Sequence, residues 1–509
     1  MIAPNNSLIV KNSVILFARL VITALSGLFT ARFLLQGLGP SDYGLYNVVG
    51  GIVILMAFLN GTLITMSSRF IAYEMGRGNL DGLNKIFNIS LAISIILTFI
   101  IALLAETVGI FYIKYYLNVS QSNLGDAYYV LHFSTISIII LIISIPYQAV
   151  LTASENFSVR AIIESTRSLL GLILAFFIFK YNDGNSLRFY VKAFVVVNLI
   201  PAFLFFLYCK FKYLGITKIK IQKDWSKYKE MLGFSSWVTI GGVASIGMNQ
   251  GSSLIINLFF GTLLNASFGL ANQVFQMINM FAKNISQAAI PQIIKSYSSG
   301  DTNRSISIVS YLTKYTYFLM IVPSLPILLK TQFIIKLWLV EMPPYIISFI
   351  QLIIIYSLIE SLTSSIPAVV QATGKIKVFQ IFSSTISLLS LPLGYFLFSI
   401  NLPPTSIIIA YIFTASINTI VKFVLFKKVI LFDVKYFLKN SYLRILIVTI
   451  FLSPLFLFKY FFSDSILQFF ILALGAFIWL TILIYFFGID QKEKKIIKNI
   501  VRRKRIRIN

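Results

Sequence analysis

The chain has 509 residues, 58% of them hydrophobic and only 12% charged, about half the roughly 25% charged content of soluble globular proteins. Its mean hydropathy is +0.86, and at roughly 20 apolar residues per crossing the apolar stock could build about 14 membrane helices. These figures exclude a soluble enzyme, a disordered chain and a secreted disulfide scaffold. The apolar runs are long and continuous, which argues against the alternating strands of a membrane barrel. The expected fold class is all-α, a polytopic membrane protein.

The formal charge is +26, from 43 Lys+Arg against 17 Asp+Glu. In a soluble protein that would suggest nucleic acid; here the positive-inside rule supplies the reason, and no nucleic-acid partner is expected. A single cysteine, Cys209, allows neither a disulfide framework nor a Cys-based metal site. A single histidine, His132, allows no multi-His site, so neither metal nor cofactor is expected. The first apolar run is a full span with no small-residue cleavage site after it, so no cleavable signal peptide is expected. Gly374-Lys375 lacks the upstream glycine of a phosphate loop, and no ATPase of the chain's own is expected.

In chain order, the predicted spans are 13–35, 44–66, 87–112, 127–150, 158–179, 190–209, 233–260, 268–293, 308–328, 345–370, 377–398, 405–426, 441–461 and 466–487. Breakers separate them, among them Gly37-Leu38-Gly39-Pro40, Asn182-Asp183-Gly184, Pro343-Pro344 and Pro403-Pro404. With the N-terminus placed inside, the cytoplasmic segments hold about 29 basic residues and the outer ones about six. That ratio puts both ends in the cytoplasm. The tail carries nine of these bases between Lys492 and Arg507. They could bind the anionic inner leaflet or simply obey the topology rule.

The chain repeats itself. Tyr43-Gly44-Leu45-Tyr46-Asn47 opens span two, and Phe268-Gly269-Leu270-Ala271-Asn272 opens span eight. Ile145-Pro146 with Ala153-Ser154 is echoed by Ile366-Pro367 with Ala372-Thr373, and Gly78-Asn79 by Gly300-Asp301. All offsets lie between about 219 and 225 residues, which covers six spans. An even number of spans gives parallel repeats, a transporter architecture. The expected domains are an N-lobe at 1–213 (spans 1–6), a basic cytoplasmic linker at 214–230, a C-lobe at 231–428 (spans 7–12), and spans 13–14 with the tail at 429–509.

Polar residues inside spans are expensive and face a bundle interior or a wet cavity. Span eight carries Asn272, Gln276, Asn279, Lys283 and Gln287 on one helical face. That face lines a cavity or serves as interhelical hydrogen-bond glue. Span one carries Arg19, Thr23, Ser26 and Thr30, with snorkelling as the alternative for Arg19. Span ten carries Tyr356, Glu360, Ser364, Pro367 and Gln371. Glu360 is either an H+ or Na+ coupling site or a counter-charge to Lys283 or another buried base. Glu164 and Arg167 are spaced for an intrahelical ion pair, although Arg167 could face the cavity. Asn249 in span seven is a candidate cargo contact, His132 reads as structural, and Lys314 and Lys422 are expected to snorkel. Intramembrane bases outnumber acids, and a positively biased cavity suits an anionic cargo.

From Arg19 to Gly51 the chain resembles the first helical hairpin of polysaccharide-export proteins. The residues that carry it are Arg32, Leu38-Gly39, Asp42-Tyr43-Gly44 and Tyr46-Asn47-Val48. The stretch at Phe268 looks like the second-half counterpart. These are O-antigen flippases of the Wzx type, in the superfamily that includes MATE multidrug exporters and the lipid II flippase. The resemblance implies two six-helix MATE-like lobes plus two C-terminal helices, in the bacterial cytoplasmic (inner) membrane. It implies no enzyme chemistry but alternating-access translocation of a polyprenyl-diphosphate-linked oligosaccharide (an O-antigen, capsule or exopolysaccharide repeat unit) between leaflets. Membrane lipids are then neighbours, and polysaccharide polymerases and glycosyltransferases are candidate partners. The lipid II flippase family uses cationic residues in helices one, two and eight of its cavity. Arg19, Arg69 and Lys283 are the nearest counterparts here, by helix only. The alternative is a MATE-like cation-coupled drug exporter.

Overall fold

Lipid offers backbone amides no partner, so long apolar runs must satisfy their hydrogen bonds internally, as helices. The computed structural model describes residues 6–56, 60–154, 156–181, 185–298, 300–339, 341–373, 376–491 and 493–495. Side chains are described at these positions except 6–18, 20, 54–56, 60, 76, 122, 234–241, 243, 281–292, 294–295, 298, 371–372 and 376. Among the described residues there is no strand.

Among the described residues, twelve continuous helical stretches are long and apolar enough to cross a membrane. Two of them, Val21–Val53 and Ala244–Met280, are each broken into two arms, at Gly39 and Gly261. Counting both arms reconciles these stretches with the fourteen spans read from the sequence.

The chain divides into two compact units. The first comprises Met1–Gln273 and Gly394–Pro404. It contains α1 (Asn6–Met56), α2 (Asn60–Gly76), α3 (Leu80–Tyr115), α4 (Leu124–Ile143), α5 (Ile145–Ala153), α6 (Phe157–Lys180), α7 (Ser186–Lys212), α8 (Leu214–Thr217) and the first part of α9 (Trp225–Ser298). Within it α6 lies along α1, and α7 packs on both α4 and α6. The short Gly394–Pro404 piece joins through aromatic contacts, with Phe398 edge-on to Phe260 at 4.9 Å between centroids.

The second unit, Val274–Leu393 with Thr405–Asn509, holds the rest of α9. Its other main helices are α10 (Thr302–Leu329), α11 (Thr331–Trp338), α12 (Ile346–Ser361), α13 (Ile366–Ala372), α14 (Ile376–Leu388), α15 (Ser390–Ser399, shared with the first unit), α16 (Ser406–Val429), α17 (Val434–Phe437), α18 (Leu443–Leu452), α19 (Leu455–Phe458) and α20 (Ile466–Leu483). One apolar cluster gathers Val309, Val369, Phe426 and Phe437; another gathers Phe318, Leu325, Val448 and Leu480. The second cluster brings α18 and α20, from the last two spans, against α10.

The repeat is carried by the same backbone devices in both halves. Gly39 (φ 80) and Gly261 (φ 75) break α1 and α9, and Gly78 (φ 67) and Gly300 (φ 85) end the helices that follow. The two pairs have the same separation along the chain. Positive φ is costly for residues with a Cβ, which explains why glycine stands at all four places. Asn79 and Asp301 then cap α3 and α10, accepting from the Gly82 and Arg304 amides at 3.0 Å each. Pro146 and Pro367 each sit in the first turn of a helix, where a missing N–H costs nothing.

The aromatic-Gly-Leu echo is a close-approach device. Gly44 faces the Thr262 carbonyl, and Gly269 faces Asn47, whose Nδ2 lies 2.8 Å from where a Cβ would be. Gly44→Ala would drive a methyl into a backbone oxygen that has no rotamer to yield. Overpacking of this kind typically costs about 1–3 kcal/mol. A lowered thermal midpoint of the purified protein is the expected result; an unchanged one would deny the contact.

Candidate functional site

The first unit contains a polar cavity of 260 Å³ among otherwise apolar helices. Arg19 from α1, Ser144 from the break between α4 and α5, Gln148 from α5, and Glu164, Arg167 and Ser168 from α6 line it. Arg160, Glu164 and Arg167 follow one another at helical spacing, so α6 presents them on one side. Since α6 lies along α1, that side meets Arg19.

Glu164 is the hub. It accepts from Arg19 across the helix interface and from Arg160 Nε at 2.8 Å, one turn back. Arg160 also donates to Thr152 Oγ1 at 2.7 Å. Arg167 instead donates through Nε to Asn198 Oδ1 at 2.8 Å, and Asn198 is fully buried on α7. Gln148 donates to Ser144 Oγ at 2.9 Å. The expected Glu164–Arg167 pair is therefore overturned: the carboxylate pairs at i−4 and across to Arg19, and a neutral amide holds Arg167. Three guanidinium groups gather around one carboxylate, leaving the cluster net positive. Arg19 is half-buried and engaged, not snorkelling. Such a cavity can bind an anion through charge-assisted hydrogen bonds.

Arg160, Gln148 and Asn198 escaped the sequence reading. Arg160 reads from the topology as one of the cytoplasmic bases, although its i,i+4 spacing to Glu164 is visible in the sequence. Asn198 stands alone among apolar residues, whereas Gln148 has Ser144 and Thr152 four residues to either side, a polar spacing that could have marked it.

The other candidates lie elsewhere. Asn249 donates to Asn272 at 2.8 Å, Ser253 to Asn265 at 2.5 Å, and Tyr112 OH and the Asn118 amide to Asn257 at 3.0 and 3.1 Å. Asn272 and Asn249 thus bond each other in a ladder that ties the two arms of α9 together, the interhelical-glue alternative. Gln276 is exposed. Asn279 bonds the Phe275 carbonyl at 3.0 Å and Ser357 at 3.4 Å. The side chains of Lys283 and Gln287 lie outside the described residues. Arg69 is exposed midway along α2 and does not line the Arg19 cavity.

In the second unit, the Glu360 carboxyl interacts with the Tyr356 phenol and electrostatically with Lys422. Lys422 is half-buried beside it, so this lysine is a counter-charge as well as a span residue. Lys314 does not snorkel: its side chain is 0% exposed and meets both Glu493 oxygens at 2.9 and 2.7 Å. His132 Nδ1 lies 2.7 Å from Glu106. A groove of 1280 Å³ runs beside α18, walled by residues such as Ile321, Leu358, Leu362 and Leu446. Lys435 and Lys439 stand at one end of the adjoining span and Lys459 at the other.

No family model matches the chain, and no curated protein sequence does. Solved structures do. The chain is similar to the lipid II flippase MurJ in an inward closed conformation, with a TM-score of 0.70 at 16% identity over 93% of this chain and 98% of that one. It is similar to an inward-facing multidrug resistance MATE family transporter of the MOP superfamily, with a TM-score of 0.68 at 15% identity over 80% and 94%. A MOP superfamily transporter from Pyrococcus furiosus, described as having a binding pocket of reverse polarity, gives a TM-score of 0.61 at 16% identity over 83% and 95%. The fold of this all-helical membrane chain is the one shared by MATE-type transporters of the MOP superfamily and the lipid II flippase.

Proposed function

We propose that the chain is a flippase that moves a polyprenyl-diphosphate-linked oligosaccharide from the inner to the outer leaflet of the bacterial cytoplasmic membrane. The observation that carries this reading is the guanidinium excess of Arg19, Arg160 and Arg167 over Glu164. A buried diphosphate needs counter-charge and donors, which this cluster supplies. A lipophilic cation would meet like charge there. Sugar hydroxyls need polar partners at every depth, and Ser144, Gln148 and Ser168 offer them beside the arginines. The apolar groove beside α18 suits a prenyl chain. Lys283, Gln276, Asn279 and Gln287 remain proposed cargo contacts, and Glu360 a proposed H+ or Na+ site. No covalent bond changes in this scheme.

The fold supports a second reading, a cation-coupled multidrug exporter, for which Glu360 beside Tyr356 is the placed carboxylate. Two measurements separate them. Proteoliposomes loaded with a polyprenyl-diphosphate oligosaccharide bearing a fluorescent sugar should expose it to an impermeant quencher only when the protein is present. Ethidium efflux from cells expressing the protein should not rise above the empty control. The opposite pair of results would favour the exporter. Lys283→Glu is expected to stop surface polysaccharide with protein levels intact; unaffected export would remove Lys283 from the cargo path.

A further inference from the structure

The segment from Lys210 to Lys229 contains seven lysines. Between them stand Phe211, Leu214, Ile219, Ile221 and Trp225, all exposed; Ile221 reaches 92% and Trp225 70%. This segment is pinned at several points. Asn84 Nδ2 donates to the Ile216 carbonyl at 2.9 Å and the Lys218 carbonyl at 2.6 Å. Asn88 donates to the Lys218 carbonyl at 3.0 Å and accepts from the Lys220 amide at 2.9 Å. Both asparagines are buried on α3. Further along, Lys85 binds Asp224 at 2.6 Å, and Tyr228 OH donates to the Gln222 carbonyl at 3.4 Å. Asn84 and Asn88 bind only the backbone of Ile216, Lys218 and Lys220, and Thr217 adds its hydroxyl to the Cys209 and Tyr213 carbonyls at 3.4 and 3.1 Å, so none of these bonds uses the side chains of Lys218, Ile219, Lys220 and Ile221.

A strap held by its backbone, with apolar and cationic side chains alternating outward, is built to present them. We propose that residues 210–225 are an interfacial lipid-binding strap that takes the headgroups of anionic phospholipids. Ile219, Ile221 and Trp225 enter the headgroup–acyl boundary, where indole is favoured, while Lys218, Lys220 and Lys223 pair with phosphates above it. The charges complement such a surface. The acids within and just beyond the strap are already answered, Asp224 by Lys85 and Glu230 by Lys227 at 2.7 Å, so the remaining lysines are uncompensated by them. The start of the strap is the end of α7, a membrane span, which places it at the membrane boundary. The Lys85 ammonium also holds Asp224 below its ordinary 3.8. Its tether is therefore complete above the ordinary aspartate range and loosens only as pH falls through the lowered value.

The test uses the full chain in nanodiscs with Trp237, Trp338 and Trp479 replaced by Phe, leaving Trp225 as the reporter. Brominated phosphatidylglycerol should quench its emission more strongly than the same fraction of brominated phosphatidylcholine. Lys218→Gln, Lys220→Gln and Lys223→Gln together should bring the two to parity. Equal quenching of the parent by both lipids, or the emission of a water-exposed indole in both, would overturn the proposal. A second probe avoids the tryptophan replacements. A nitroxide on Ile221→Cys in a Cys209→Ser background should be more accessible to oxygen than to a water-soluble nickel complex, and more so in phosphatidylglycerol. The reverse order of accessibility would equally overturn it.

Discussion

Arg167→Gln should cut translocation roughly ten- to a hundredfold while leaving the protein folded and present at normal levels. The glutamine amide can still donate to Asn198 Oδ1, so the buried partner keeps its hydrogen bond. What is removed is the charge. A hydrogen bond to a charged group contributes about 1.5–3 kcal/mol, and each 1.4 kcal/mol is about tenfold in rate. Arg167→Lys keeps the charge but not the planar fork, and should retain an intermediate rate. Fluorescent glycolipid translocation in proteoliposomes reads all three proteins. Equal rates for Arg167→Gln and the parent would remove this cavity from the cargo path, whatever the cargo is.

Lys314→Met is expected to be the most destabilising single change in the second unit. It would strand the Glu493 carboxylate, which is itself buried and receives Lys314, Tyr315 OH at 2.6 Å and the Asp490 amide at 2.5 Å. Breaking a buried pair by removing one partner costs about 3–5 kcal/mol. Lys314→Met with Glu493→Leu should recover part of the loss, because no lone charge then remains. Thermal unfolding in detergent measures both. The functional consequence is local: Asp490 and Glu493 form a reciprocal cap, and that cap, with Arg444 on the Phe487 and Ile489 carbonyls, ties the end of the last span to α10 and α18. No loss in the single variant would mean that the clamp does not exist in solution.

The contrast between these two clusters shows what could be read along the chain. Arg19, Glu164 and Arg167 were visible because buried charges stand out in apolar spans. Their pairing was not visible, since it depends on α6 lying along α1. The spacing of Glu164 and Arg167 permitted a bond that the packing did not use. Glu493 was hidden more thoroughly. It sits among the nine bases of the tail, and its partner lies near the middle of α10. Lys314 looked like a snorkelling lysine because nothing nearby in sequence could neutralise it. The span-eight stripe was legible as a stripe, but only the neighbouring arm of α9 decided that Asn272 would bond Asn249.

Composition and periodicity by themselves determined the membrane solvent, the all-helical class, the number of crossings and the internal repeat. Each follows from local chemistry: lipid forces helix, and glycine, asparagine or aspartate, and proline mark where a helix must break, cap and restart. The tertiary structure alone decided which cations share a carboxylate and which are left in excess. Electrostatic energy depends on distances of a few ångströms between atoms, and residues far apart in sequence acquire those distances only when helices pack.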